Sequence, residues 1–370
     1  MFGDAPCSQA ALVDENGSPV YLTPKMDKQE EIYTQAMQYL DDAIADLQKE
    51  DLIDPGAQDL LYQGDAEKWL KLAYGLKARY TMHLLKRSAN KDADMEKVLE
   101  YVDNSFESAE EQAAFDVYDA NNINPLYGFF VARAGLGASE SMRSKLAEYN
   151  DPRLSRAFIT KQGASGKEQA PGTADNAVYA PNGSPEQGTS KYGTSLFMYS
   201  ISAPTLLLSY HELKFLEAEA LCRLGRDAKS ALKDAVVAGL LNAENSFSVS
   251  RKELGKTLIN PASSITDTEA ESYFDNTIEA KYTAEPLKTT MIQKYFALWG
   301  ASGEATESYN DVRRMKGLGE NFIELKNPNS FPLRCPYGNS DTTTNAEVKA
   351  AYGNGQYVYS ENVWWAGGSR

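Results

Sequence analysis

The sequence predicts a mainly α-helical protein in which helical hairpins support loops. Three observations point there: apolar residues recur at helical spacing over long stretches, capping residues mark the ends of these stretches, and twice one stretch turns directly into the next. The most completely signed hairpin is residues 205–240, TLLLSYHELKFLEAEALCRLGRDAKSALKDAVVAGL. Ser209 is an N-cap, and Glu212 three residues later completes a capping box. Leu213, Leu216, Ala220, Leu221 and Leu224 follow at helical spacing. Gly225 stands where a left-handed C-cap residue is expected, and Asp227 caps a second helix carrying Ala231, Leu232, Ala235, Val236 and Leu240. Burying one leucine contributes about 1.5–3 kcal/mol, so this face requires a partner.

Taken in order, residues 1–26 are punctuated by Gly and Pro. Asp27 with Glu30 repeats the capping pattern ahead of a helix over 28–48, whose stripe is Ile32, Ala36, Leu40, Ala43, Ile44 and Leu47. A second helix, from Asp65 to about Ser88, presents Trp69, Leu72, Ala73, Leu76, Tyr80, His83 and Leu84, which makes another hairpin. A shorter helix over 92–109 leads to a loop at VYDANNINPLYGFF, and a helix over 139–149 ends at Asp151-Pro152-Arg153-Leu154. Residues 161–195 form a long polar loop rich in Gly, Pro, Ser, Thr and Asn, and such loops are usually functional or disordered. After the central hairpin come a polar segment over 243–267, helices over 268–282, 287–299 and 304–315, and an irregular tail, 317–370. The two hairpins resemble tetratricopeptide pairs without the strict 34-residue pattern. Residues 1–370 are read as a single domain.

The chain has 370 residues, 42% of them apolar and 24% charged, an ordinary globular balance. Lys and Arg total 37 against 52 for Asp and Glu, a net charge of −15. That field repels phosphate backbones, so nucleic acid is excluded as a partner and neutral or cationic ligands are favoured. Twenty-two Tyr and four Trp offer amphipathic ring faces to sugars or bases. Cys7, Cys222 and Cys335 are too dispersed for a zinc site and odd in number, so neither a metal, another cofactor nor a disulfide framework is implied. No apolar run approaches a membrane span, and MFGDAPCSQA has neither the basic nor the apolar region of an export signal.

Catalytic signatures fail one by one. Gly255-Lys256-Thr257 has Ser250 where a P-loop needs its first glycine, and the Gly135/Gly137 pair lacks the third glycine of a dinucleotide loop. His211-Glu212 is not followed by the second histidine of a metalloprotease, and G-x-S-x-G does not occur. His83 and His211 both fall within helices, and the acidic pairs Asp41-Asp42 and Glu110-Glu111 lie on solvated faces or loops. No motif of the chain specifies a catalytic residue, and a glycosidase's carboxylate pair is not visible in sequence spacing.

Several stretches spread along the chain resemble the SusD/RagB-like nutrient-binding outer-membrane lipoproteins. MFGDAPCSQA resembles the family's Y-G-D-x-P-Y-S-E-A segment with Cys7 in place of tyrosine, and GDAEKWLKLAYGLKARYTMHLL resembles its G-D-x-x-K-W helix. NPLYG and DPRL match the middle of the pattern. SYHELKFLEAEALCRLG is similar to Y-x-E-x-x-F-x-x-A-E-A-x-x-R through Tyr210, Glu212, Phe215, Ala218, Glu219, Ala220 and Arg223. MIQKYFALWG and ESYNDVRR resemble Q-K-W-I-A-L and E-A-W-x-D-x-R-R, with Tyr295 and Tyr309 where tryptophan is commoner. Pro332, Arg334, Tyr337, Asp341 and Asn345, and the closing NVWW, fit the end of the pattern.

The resemblance implies a mostly helical SusD-like fold, four tetratricopeptide-like units supporting a loop-rich ligand-binding face. It implies lipid anchoring at the cell surface, an oligosaccharide or other small nutrient as ligand, and a SusC-like TonB-dependent outer-membrane transporter as partner, with no chemistry performed. The chain begins well inside the family pattern, so an export signal, a lipobox cysteine and the first helices are expected outside it. Membrane contact would come only through that anchor. Binding is expected from loops, where rings stack on pyranose faces and polar groups take the hydroxyls. The candidates are Asn124, Tyr127 and Phe129 in NINPLYGFF, Tyr179, Asn182 and Tyr192 in the polar loop, and Trp365. Trp69, Phe215 and Trp299 are assigned to packing, and Glu212, Glu219 and Arg223 to structural polar contacts. The alternative function is a tetratricopeptide-like scaffold binding a protein partner.

Overall fold

Helix α1 (Gln29–Leu47) packs on α2 (Ala66–His83), and α2 on α3 (Lys91–Asp103). The computed structural model describes residues 1–50, 53–133, 136–162, 168–172, 179–183, 192–300 and 303–370. Asp65 caps α2 by accepting from the Lys68 amide at 3.1 Å, as its sequence position predicts. Helix α1 is capped differently. Asp4, not Asp27, accepts from the Gln29 amide at 2.8 Å, while Asp27 accepts from the amides of Cys7 and Ser8 at 2.9 and 2.7 Å.

A short strand, β1 (Ala113–Phe115), leads to α4 (Pro125–Arg133) and α5 (Glu140–Glu148). Residues 117–130 are therefore not all loop: Pro125 opens a helix where its missing N–H costs nothing. Strands β2 (Phe158–Gln162), β3 (Glu168–Pro171) and β4 (Thr194–Ser195) form an antiparallel sheet in the order β3-β2-β4, with Thr160 opposite Ala170 and Ile159 opposite Thr194. The predicted polar loop thus begins and ends in strands. Its stretches 163–167, 173–178 and 184–191 lie outside the described residues.

The central hairpin enters through β5 (Thr205–Leu208), which pairs antiparallel with β1, and comprises α6 (Tyr210–Arg223) and α7 (Lys229–Leu254). Gly225 adopts φ +69°, and the amides of Gly225 and Arg226 donate to the carbonyls of Cys222 and Leu221, closing α6 with a Schellman pair. The predicted capping box is only half formed. Ser209 Oγ accepts from the Glu212 amide at 3.1 Å, but the Glu212 carboxylate turns to Arg79, whose Nε donates at 3.0 Å. The Ser209 amide donates to Glu304 instead. Helix α7 runs through much of the segment read as polar, because Leu240, Ala243 and Phe247 continue its buried stripe. Buried Ser250 stays helical by donating to the Ser246 carbonyl one turn back at 2.9 Å.

The remaining helices are α8 (Asp267–Tyr273), α9 (Glu279–Ala284), α10 (Pro286–Leu298) and α11 (Ala305–Leu318), with a π-helical turn over 274–278. The irregular tail contains α12 (Asn339–Thr344) and α13 (Ala346–Tyr352). It holds the first residues of the chain: the Cys335 amide donates to the Met1 carbonyl at 3.1 Å, and the Tyr337 and Tyr352 hydroxyls to Asp4 at 2.8 and 2.5 Å.

Two large hydrophobic cores result among the described residues, with three smaller clusters beside them. One gathers Leu72, Met82, Met95, Val98 and Leu208, the other Phe158, Phe197, Leu232, Phe247 and Phe274. Helix α6 serves both, sending Leu213, Leu216 and Ala220 to the first and Phe215 and Ala218 to the second. Buried ion pairs lock α6 in place, as assigned from the sequence. Glu219 accepts from Arg314 Nη2 at 2.8 Å and from Arg223 Nε at 2.7 Å, and Arg223 reaches Glu320 at 2.9 and 3.0 Å. Burial pushes the Glu304 carboxyl well above its ordinary pKa, and the charge of Glu212 adds to this, whereas burial pushes His211 down to about 4. No helix of the described residues is long and apolar enough to cross a membrane.

Candidate functional site

Helix α5 organises the most site-like region. Ser139 caps it, accepting from the Met142 amide at 3.3 Å, and the Ser139 hydroxyl donates to Asn182 Oδ1 at 3.1 Å. Asn182 in turn donates through Nδ2 to Asn327 at 3.1 Å. Tyr179 meets Phe158 edge-on at 5.3 Å, and the Arg143 guanidinium of α5 lies 5.5 Å from the Tyr179 ring centre. Tyr192 is buried and crowds Gly137, where any side chain would start 3.3 Å from Tyr192 Cβ. Three predicted residues, Tyr179, Asn182 and Tyr192, are therefore gathered at the start of α5.

Beyond them opens a cleft of about 570 Å³ between α5, α9, α10 and residues 321–326. Tyr149 and Phe296 form its largely buried aromatic base, packed edge-to-face at 5.4 Å. Tyr295 and Phe322 line it and are only partly buried. Burial, helped by Glu148 and Glu285, pushes the Tyr149 hydroxyl up to about 12, so it stays a protonated donor at neutral pH. Charged groups surround the rings. Lys281 Nζ lies 4.4 Å from the Tyr149 ring centre, and Lys288 and Lys326 pair with Glu285 and Glu324. Half-covered rings beside amide, ammonium and carboxylate groups are what a sugar requires, because its C–H face and its hydroxyls need different partners.

The other predicted residues go elsewhere. Asn124 is 1% exposed, donates to the Ala203 carbonyl at 2.8 Å and accepts from the Leu126 amide at 2.8 Å. It fixes the start of α4 rather than offering its amide to a ligand. Tyr127 is partly buried and donates to Glu253 at 3.1 Å, and Phe129 is 51% exposed on α4 beside exposed Val131; neither lines the cleft. Ser202 and Pro204, neighbours of Asn124's partners, line a second groove of about 620 Å³ whose walls are mostly polar, Gln63, Gln112 and Asn245 among them. Trp365 is 2% exposed, stacked on His83 at 5.7 Å with Arg313 4.9 Å away. It and Trp364 share one 3₁₀ turn rather than a strand, and Trp365 is a packing residue.

Sequence reasoning missed Tyr149, Tyr295, Phe322, Lys145 and Lys281. Tyr295 was read as part of a helix stripe, and the others bore no motif. The usable signal was that Tyr149 follows a helix C-terminus and Phe322 stands in a polar segment, where rings have less core to fill.

Residues 1–337 match the family model SusD-like, described as starch-binding and associating with the outer membrane. The chain belongs to the SusD-like family. It is similar to a SusD/RagB family protein from Bacteroides thetaiotaomicron, 66% identical with a TM-score of 0.93, over 100% of this chain and 77% of that one. Two more distant structures share the SusD-like fold. One is a chitin-binding protein (22% identity, TM-score 0.70, 99% and 77% of the two chains); the other is a SusD homologue from Bacteroides fragilis (20%, 0.72, 99% and 80%). No curated protein matches the chain significantly. SusD-like proteins bind carbohydrate without converting it, so this chain is a non-catalytic, nutrient-binding member of an outer-membrane family. Its helical architecture, with tetratricopeptide-like hairpins, is the SusD-like one.

Proposed function

We propose that this SusD-like protein captures a glycan at the cell surface, in the cleft between α5, α10 and residues 321–326, and delivers it to a SusC-like TonB-dependent transporter. The observation that carries the reading is the meeting of two partly buried rings, Tyr295 and Phe322, with polar groups of both charges in one 570 Å³ concavity. Asn182 and Tyr179 do not line this cleft but contact α5, one of its walls, through Ser139 and Arg143. The family's association with the outer membrane supports a lipid anchor and a transporter partner as parts of this reading.

Calorimetric titration with a panel of oligosaccharides tests the site. Replacing both rings, Tyr295→Ala with Phe322→Ala, is expected to weaken binding of any saccharide the wild type takes by at least about tenfold, since one stacked ring contributes on the order of 1–3 kcal/mol. Wild-type affinity in a variant that folds normally would move the site elsewhere. Co-purification of a barrel transporter with the membrane-bound protein tests the delivery step, and its absence would argue for capture without a dedicated transporter.

A further inference from the structure

The cleft differs in charge from the molecule around it. The whole chain carries −15, yet the cleft is lined by Lys145, Lys281, Lys288 and Lys326 against Glu148, Glu285 and Glu324. Lys288 and Lys326 are occupied by Glu285 and Glu324. Lys145 donates to Ser141 Oγ at 2.7 Å, and Lys281 lies over the Tyr149 ring. Among the described residues neither of these two ammonium groups has a carboxylate within ion-pair distance, although an ammonium carries three donors.

A neutral sugar could take hydrogen bonds from both ammonium groups through its hydroxyls but would leave their charge uncompensated. A uronate carboxylate or a sulfate ester would engage them by charge-assisted hydrogen bonds, roughly twice as strong as neutral ones. We infer that the cleft takes an anionic glycan, its negative group held by Lys145 and Lys281 while a sugar ring lies on Tyr295 and Phe322. Two further points favour this. Burial, with the nearby charge of Lys326, holds the Lys145 ammonium below its ordinary pKa despite the opposing charges of Glu324 and Glu148, and an incoming anion offsets the remaining repulsion. The acidic surface elsewhere is screened beyond a Debye length of about 8 Å at physiological salt, so the local cations decide the sign that a bound ligand meets.

The inference rests on the cleft being the glycan site, and the test separates the two. The full chain is titrated calorimetrically with a de-esterified oligogalacturonide, a sulfated dextran oligomer and neutral maltoheptaose, at low and at physiological salt. At least one anionic probe is expected to bind about tenfold or more tighter than maltoheptaose, and to weaken as salt rises. Lys145→Gln and Lys281→Gln should each cost roughly tenfold for that probe and distinctly less for the neutral one, which loses a hydroxyl partner but no charge pair. Both side chains are partly exposed, so the variants are expected to melt like the wild type. The two anionic probes distinguish carboxylate from sulfate. Equal or tighter binding of maltoheptaose, or anionic binding indifferent to both substitutions, overturns the inference and leaves glycan capture standing. Failure of every saccharide, charged or neutral, overturns both.

Discussion

Arg314 is fully buried and joins two helices through its guanidinium, donating to Glu219 of α6 at 2.8 Å and to Asp311 of its own helix at 2.7 Å. Its removal leaves two buried carboxylates short of a partner. Arg314→Met is therefore expected to destabilise the fold by about 3–5 kcal/mol, measured by urea unfolding, with Arg314→Lys intermediate because an ammonium lacks the fork. Asp27 makes a pH prediction. Burial pushes its pKa up, but hydrogen bonds from Ser8 and Cys7 and the contact with Lys25 outweigh this and bring it from 3.8 to about 2. A carboxyl lowered on folding stabilises fully above its unfolded pKa, and that gain is lost as pH falls through the folded value. The stability difference between the wild type and Asp27→Asn should be constant above about pH 5 and shrink between about pH 4 and 2. A difference that grows on acidification would refute this assignment. Individual residues were also where reading the sequence was weakest for the site. Asn124 and Trp365 have the right chemistry for a sugar, but composition does not tell which way a side chain points, and both point inward.

At the scale of elements, what was legible was what is local. The cap at Ser209 and the left-handed Gly225 act within a few residues and occur as expected, and the caps at Asp65 and Ser139 are equally local. What was not legible reaches far along the chain: Asp4 caps a helix 25 residues on, and the Glu212 carboxylate finds an arginine 133 residues away. The C-terminal part of α7 was hidden by its polar composition, because serine hydroxyls that satisfy themselves against the preceding turn look, in sequence, like loop. Packing between elements yields a further prediction. A Cβ on Gly239 of α7 would lie 2.9 Å from Ala297 Cβ of α10. Gly239→Ala should lower stability by roughly 1–2 kcal/mol despite alanine's better helix propensity, since overpacking typically costs about 1–3 kcal/mol. An unchanged thermal midpoint would mean that α7 and α10 can separate freely.

For the molecule as a whole, the two cores are expected to unfold as one unit, because α6 contributes apolar side chains to both. Differential scanning calorimetry should show one cooperative transition, and the tryptophans on either side, Trp69 and Trp299, should report the same midpoint. Two resolved transitions would show that the cores fold separately. The same scale explains why the cleft escaped sequence reading. Tyr149, Tyr295 and Phe322 stand on three separate segments, and only tertiary packing brings them to one concavity. Net charge hides the cleft for a related reason: −15 is a sum over the surface, whereas the cleft is lined by four lysines and three glutamates. The bonds between the first residues and the tail have one more consequence. Gly3 lies about one atomic contact from Arg370, since a Cβ built on it would sit 3.0 Å from the Arg370 carbonyl carbon. Residues 1–5 and the tail therefore hold one another independently of the loop between them, and a protease cut in the exposed turn at Asp14–Gly17 should leave both fragments associated in the same fold.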